Sequence, residues 1–366
     1  MNTEVELFNR LLRTAAESGA SDVHVKTGVP AVVRINRQLV PVESPIPTEE
    51  WMNKVVAEVV PPHLSARAEH EPELDFSYFV SGVGRFRTNL FRQRGHWSFA
   101  MRYVKTVVPG FEELGLLEQI RRIAEAPRGI VLVGGTTGSG KSTTLAAMIE
   151  HINSNSKKHI VTLEDPIEYA FEDKQSMIEQ REIGLDTNSF HEALKHVLRQ
   201  DPDVIMIGEM RDATSFDAAM SAADTGHLVL STLHTTNASQ SVSRILDFFK
   251  AEEREQVRRQ LAETLHAVIC QRMVPTLSGG ITPAVEMMIN TSTVKKLITE
   301  NRLEKLAAAV ETGTEDGMIS FNQALYNLVK QRKISKQEAL SKASNPQALE
   351  MNFNGIFLDE GRRILG

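Results

Sequence analysis

The chain has 366 residues, enough for two or three domains with a sizeable core, and its 41% hydrophobic and 24% charged content is that of a soluble globular protein rather than a fibrous or disordered one. A net charge of −6 counts against a general nucleic-acid binder, whose phosphate contacts need a basic surface. The single cysteine, Cys270, excludes an internal disulfide and a cysteine-built zinc site, and after "LHAVI" it reads as a small buried hydrophobe.

In chain order, "MNTEVELFNRLLRTAAESGA" lacks the basic start and apolar core of a signal peptide. Leu7, Phe8, Leu11, Leu12, Ala15 and Ala16 share one face of a predicted helix. No apolar run approaches a membrane span, so a cytoplasmic protein is expected, with peripheral membrane attachment left open. "SDVHVKTGVPAVVRINRQLVPV" alternates and is broken by Gly28, Pro30 and Asn36, as short strands are. "TEEWMNKVVAEVV" has helical spacing with Thr48 as N-cap. "LDFSYFV", "GRFRTNLFRQR" and "HWSFAMRYV" read as three antiparallel strands. Residues 1–105 thus form a mixed α+β domain, and 106–122, around "KTVVPGFEELG", a linker.

From Ile123 strands and helices alternate, the mark of a parallel α/β sheet, in a domain expected to span 123–366. "GIVLVGG", "HIVTLED", "DVIMIG" and "HLVLSTL" are its strands. "KSTTLAAMIEHIN", "SFHEALKHVLRQ" and "SFDAAMSAADTG", the last closed by Gly226, are its helices. From Ala238 onward the chain reads as helices, ending in a helical tail. There is no internal repeat and no low-complexity segment.

"GTTGSGKS", Gly135 to Ser142, fits G-x-x-x-x-G-K-[ST] and sits between a strand and a helix, the context this motif requires. Gly135, Thr136, Thr137, Gly138, Ser139 and Gly140 present backbone N–H groups to phosphate oxygens, and the N-terminus of the helix that runs on through Thr143 adds its positive dipole end. Lys141 would reach the β- and γ-phosphates of ATP, and the Ser142 hydroxyl would ligate Mg²⁺.

Two acidic clusters end predicted strands: "TLEDPIEY" with Glu164, Asp165 and Glu168, and "IGEMRD" with Glu209 and Asp212. Parallel strands share a C-terminal edge, beyond which ligands bind in open α/β sheets. Both clusters therefore project toward the phosphate loop. Glu209 can hold a magnesium-bound water and Glu164 can orient or deprotonate the attacking water, the two jobs hydrolysis needs. In "TGHLVLSTLHTTNA", His227 and His234 stand at opposite ends of one strand, ~20 Å apart, and cannot share a metal ion. His234, among Thr232, Thr235 and Thr236, lies at the edge where it can sense the γ-phosphate. His227 lies at the far end, where it can bear on a neighbouring element.

"GTTGSGKSTTLAA", "IVTLEDPIEY", "LRQDPDVIMIGEMRD" and "TGHLVLSTLHTTNA" resemble the Walker A, Asp-box, atypical Walker B and His-box motifs of secretion ATPases, in the same order and spacing. Within that superfamily the chain is most similar to the type IV pilus retraction ATPases of the PilT and PilU type, over nearly its whole length. The resemblance implies a homo-hexameric ring with ATP bound between protomers. It implies a PAS-like N-terminal domain joined flexibly to a RecA-like core. Lys141 and Ser142 would be the Walker A pair, Glu164 the catalytic glutamate, Glu209 the Walker B glutamate, and His227 and His234 the His-box pair. The family supplies catalytic arginines from its N-terminal domain. Among Arg85, Arg87, Arg92, Arg94 and Arg102, this points to Arg87 and Arg102, although an exposed basic strand face would show the same pattern. The implied partners are an inner-membrane pilus platform protein and a paralogous retraction ATPase, with no nucleic acid.

One cysteine and a short N-terminus speak against the assembly ATPases of the superfamily, which carry a tetracysteine zinc element. The stretch "STVKKLITENRLEKL" (292–306) lacks the "AIRNLIRE"-like motif typical of PilT proteins, so an accessory PilU-like motor or a divergent paralogue stays open. Thr136 stands where Pro is common. Other readings are a secretion or DNA-uptake ATPase using the same site and, more distantly, a DNA translocase, against which the acidic balance counts. A small-molecule kinase would want a lid and an acceptor pocket rather than a separate α+β domain upstream.

Overall fold

The computed structural model describes residues 3–35 and 38–357. Asn36 and the end of the helical tail, 358–366, lie outside them. The chain divides into two compact units, one running up to Val107 together with Glu168–Ala170, the other Val108–Ile167 with the remainder.

In the first unit, helix α1 (Thr3–Glu17) precedes strands β1 (Asp22–Lys26), β2 (Val32–Ile35) and β3 (Gln38–Pro41). Helices α2 (Glu49–Val59) and α3 (Ser65–His70) follow, then β4 (Glu73–Val80), β5 (Gly84–Gln93) and β6 (His96–Tyr103). The strands form an antiparallel sheet in the order β3-β2-β1-β6-β5-β4. Thr48 caps α2, its hydroxyl accepting from Trp51 N at 3.2 Å. Alternation sends Val23, Phe86, Leu90, Phe99 and Met101 to one face, where Phe8 and Leu12 of α1 and Met52 and Val55 of α2 cover them. The opposite face is polar. Arg87, Arg102, Asp22 and Arg34 stand directly opposite one another on β5, β6, β1 and β2, one row across four strands.

The second unit starts with short helices α4 (Phe111–Leu114) and α5 (Glu118–Ala124), so the stretch read as linker is folded with it from Val108 on. Then come β7 (Gly129–Gly134), α6 (Lys141–Asn155), β8 (His159–Glu164), β9 (Met177–Glu182), α7 (Phe190–Val197), β10 (Val204–Ile207), α8 (Ala213–Asp224), β11 (Leu228–Leu233), α9 (Ala238–Asp247) and α10 (Arg254–Thr264). Contrary to the all-helical expectation after Ala238, α10 is followed by a hairpin, β12 (Leu265–Pro275) and β13 (Ile281–Ile289). No loop residue separates Thr264 from Leu265, so the helical pattern runs straight into the strand. Helices α11 (Ser292–Thr299), α12 (Leu306–Thr312), α13 (Phe321–Lys330), α14 (Lys336–Lys342) and α15 (Pro346–Phe353) close the unit.

The sheet order is β13-β12-β7-β11-β10-β8-β9, parallel except for β13. β7, β10 and β11 are buried along their whole length, which is why they read as unbroken apolar runs. Val131, Val133, Met206 and Leu230 face α5 and α6. Ile130, Leu132, Ile205 and Val229 face the layer built from α7 to α15. The result is a three-layer α/β/α unit.

Candidate active site

The C-terminal edge of the parallel sheet brings the predicted residues together in spatial order. The phosphate loop follows β7, His234 follows β11, Glu209 follows β10 and Glu164 ends β8. Adjacent pairing supports this placement, with Gly134 opposite Leu233 and Ile207 opposite Leu163.

The loop Gly135–Gly140 needs its glycines. Gly135 (φ +152°), Gly138 (+78°) and Gly140 (+87°) all lie in the region favouring glycine. A Cβ on Gly135 would stand 2.2 Å from Ser139 Oγ and 2.9 Å from Gln271 O, so the loop packs against its own turn and against β12. Lys141 Nζ donates to Gly135 O at 2.9 Å and to Thr136 O at 3.0 Å, which arches the lysine over the loop. Ser139 Oγ is buried with no hydrogen-bond partner among the described residues. A buried hydroxyl without a partner, a glycine turn and a 15-residue helix starting at Lys141 suit a bound phosphate chain.

Glu164 is 7% exposed, held by Thr162 Oγ1 at 2.7 Å and by Gln180 Nε2 at 2.9 Å. Gln180 sits on the edge strand β9, which the sequence reading missed because "MIEQRE" has no apolar run. Glu209 stands beside charged groups. Burial alone would raise its carboxyl, but the Arg211 guanidinium at 2.7 Å, with His234 and Lys141, outweighs this and holds it below the usual carboxylate range. His234 Nε2 lies 3.5 Å from Glu209 Oε1, and the ring is half exposed. Arg211 was visible in "IGEMRD" but went unassigned in the sequence reading.

Several neighbours serve structure. Asp212 caps α8 by accepting from Ser215 N at 2.8 Å. Thr232 Oγ1 donates to Gly208 O at 2.6 Å, tying β11 to the turn that carries Glu209. Thr235 Oγ1 pairs with Ser241 Oγ at 2.6 Å, and Thr236 N and Oγ1 both donate to Gln240 Oε1. His227 Nδ1 lies 2.8 Å from Ala222 O at the end of α8. Glu168 groups with the first unit. There, Arg102 Nε donates to Asp22 Oδ1 at 2.8 Å, and Arg87 stands opposite Arg102. Among the described residues no three His, Cys, Asp or Glu side chains gather as a metal site. Mg²⁺ commonly binds instead through one or two protein ligands together with substrate phosphates, and Ser142 and Glu209 are of the oxygen type it takes.

The family described as type II/IV secretion system protein matches residues 85–350 of the chain. The type IV pilus retraction ATPase PilT of Pseudomonas aeruginosa is 40% identical over 340 residues, covering 93% of this chain and 99% of its own length. The type IV pilus ATPase PilU of the same organism is 40% identical over 346 residues, 94% of this chain and 90% of its own. A crystal structure of the pilus retraction motor PilT with bound ADP superposes with a TM-score of 0.85 at 40% identity, covering 93% of this chain and 98% of that one.

Proposed function

Because the chain belongs to the type II/IV secretion system protein family, and within it to the type IV pilus ATPases of the PilT and PilU type, we propose that it is an ATP-hydrolysing hexameric motor that drives pilus retraction. Its fold is that of the family, an α/β ATPase with a RecA-like core. The observation that carries the proposal is the convergence of the phosphate loop, Glu164, Glu209 and His234 on one sheet edge.

Lys141 leaves the Gly135 and Thr136 carbonyls for the β- and γ-phosphates, while the loop amides and the α6 terminus hold the phosphate chain. Ser142 and Glu209 would hold Mg²⁺, which would supply charge neutralisation on the phosphates. Glu209 is kept ionised for this by Arg211. Glu164, fixed by Thr162 and Gln180, aligns the attacking water and takes its proton. His234 reports the terminal phosphate to Glu209. Arg87 and Arg102 supply cationic stabilisation, with ATP bound between protomers of the ring. The motor works at the cytoplasmic side of the inner membrane on a pilus platform protein.

Mg²⁺-dependent ATP hydrolysis by the purified chain tests this. Glu164→Ala is expected to cut turnover by ~10²–10⁴ while ATP affinity persists, the range for a lost general base. Lys141→Ala is expected to weaken nucleotide binding itself. Equal loss of binding and turnover in Glu164→Ala would show that its role is misassigned. Unchanged affinity in Lys141→Ala would count against the phosphate loop. A second reading, an accessory motor paired with a paralogous ring, is supported by the equal 40% identity to PilT and PilU and by the missing "AIRNLIRE"-like motif.

A further inference from the structure

Strand β12 stands between two parts of the second unit. Its Gln271 side chain exchanges hydrogen bonds with Thr144 of α6, and its Gln271 carbonyl borders Gly135. Cys270 and Arg272, two residues apart, point to the opposite face. Cys270 Sγ lies 3.8 Å from Ser241 Oγ, which is itself bonded to Thr235. Arg272 reaches further. Its Nη2 donates to Thr236 O at 3.2 Å, on the loop that carries His234, and its Nη1 donates to Lys342 O at 2.6 Å, at the C-terminus of α14. The guanidinium stacks 3.7 Å from the ring centroid of Phe321, the first residue of α13. On the neighbouring strand, Glu286 accepts from Ala238 N at 2.8 Å, at the start of α9 just past the same loop.

One planar fork thus bridges the loop after β11 and the C-terminal helices. An apolar side chain would fill this space without the cost of dehydrating a charge. Arg272 is partly buried, and burial pulls its guanidinium below the usual range while burial likewise raises the Glu286 carboxyl. Its two charge-assisted hydrogen bonds and its stack on Phe321 join the two segments through one side chain, so a shift of one is passed to the other.

We propose that Arg272 is a positioning residue that couples the His234 loop to helices α13–α15, so that the response to the terminal phosphate reaches the C-terminal layer. This rests on the nucleotide-site reading above. It assigns Arg272 a role separate from simply capping α14.

Hydrogen exchange on the full chain separates the possibilities, with Mg-ADP and with Mg²⁺ plus a non-hydrolysable ATP analogue as probes. In the wild type, amides of residues 336–345 are expected to exchange at least roughly twofold differently between the two nucleotides, a modest shift for a coupled local opening. In Arg272→Gln that difference is expected to vanish while protection of the phosphate loop by either nucleotide remains. Turnover should fall roughly tenfold at unchanged KM, as for a residue that positions without binding. Arg272→Lys keeps the charge but reaches one carbonyl, and is expected to fold normally and still lose most of the response. A wild type whose residues 336–345 ignore the nucleotide while the phosphate loop responds would overturn the proposal. So would Arg272 variants that keep the full response, or that lose nucleotide affinity and stability together. If the phosphate loop itself ignored both nucleotides, the site reading beneath the proposal would fall first.

Discussion

Glu164 and Glu209 are two carboxylates in different surroundings. Arg211 and His234 stand beside Glu209 and pull its carboxyl below the usual range, whereas Glu164 is nearly enclosed and accepts from Thr162 Oγ1 and Gln180 Nε2. These surroundings suit the proposed roles of an ion-holding group and a water-activating group. Cys270 shows the opposite extreme. Burial, then Glu286, pushes its thiol up to about 12, so it stays protonated at neutral pH. A disulfide-exchange thiol reagent at pH 8 is therefore expected to label essentially none of the native chain, and one thiol per chain after denaturation. Rapid labelling of the native protein would show that β12 opens.

Elements were legible where one physical signal dominated. β7, β10 and β11 announced themselves as apolar runs, and the phosphate loop by its glycines. The β12–β13 hairpin was not legible, because Gln271, Arg272 and Glu286 interrupt its apolar positions with groups needed to hold loops. Its turn, "TLSGGI", was the available signal: Gly279 has φ +88°, and Gly280 N donates to Thr276 Oγ1. β9 was missed because an edge strand need not be apolar. The glycines of the phosphate loop differ in what they tolerate. Gly135→Ala forces a Cβ into Ser139 and β12, whereas Gly138→Ala meets nothing within 4 Å and pays only the conformational cost, ~1–2 kcal/mol. Denaturant unfolding and nucleotide titration are expected to show Gly135→Ala as the more damaging on both counts. The reverse ranking would mean the loop is arranged differently.

At the scale of the whole molecule, the proposed catalytic roles of Arg87 and Arg102 are tested on the row that they form with Asp22 across the first unit's sheet. Asp22 is pushed up by burial but pulled lower overall by Ser21 and Arg102, so its folded pKa lies below its unfolded one. Its stabilising effect is present above the ordinary carboxylate pKa and is lost as pH falls through the lower folded pKa. Arg102→Ala is therefore expected to destabilise the first unit at neutral pH and to shrink its loss of stability on acidification. Arg87→Ala, which leaves the Asp22 pair intact, is the cleaner probe of catalysis. It is expected to lower turnover by up to ~10³ at near-constant nucleotide affinity, as an arginine finger does. An Arg87→Ala protein with normal turnover would return the row to an ordinary basic strand face.

If hydrolysis on this sheet edge drives pilus retraction, deletion of the gene in its native host alters the number of surface pili per cell. More pili together with lost surface motility are expected, and restoration of both by the wild-type chain but not by Glu164→Ala. Bald cells would contradict it and make the protein an assembly motor.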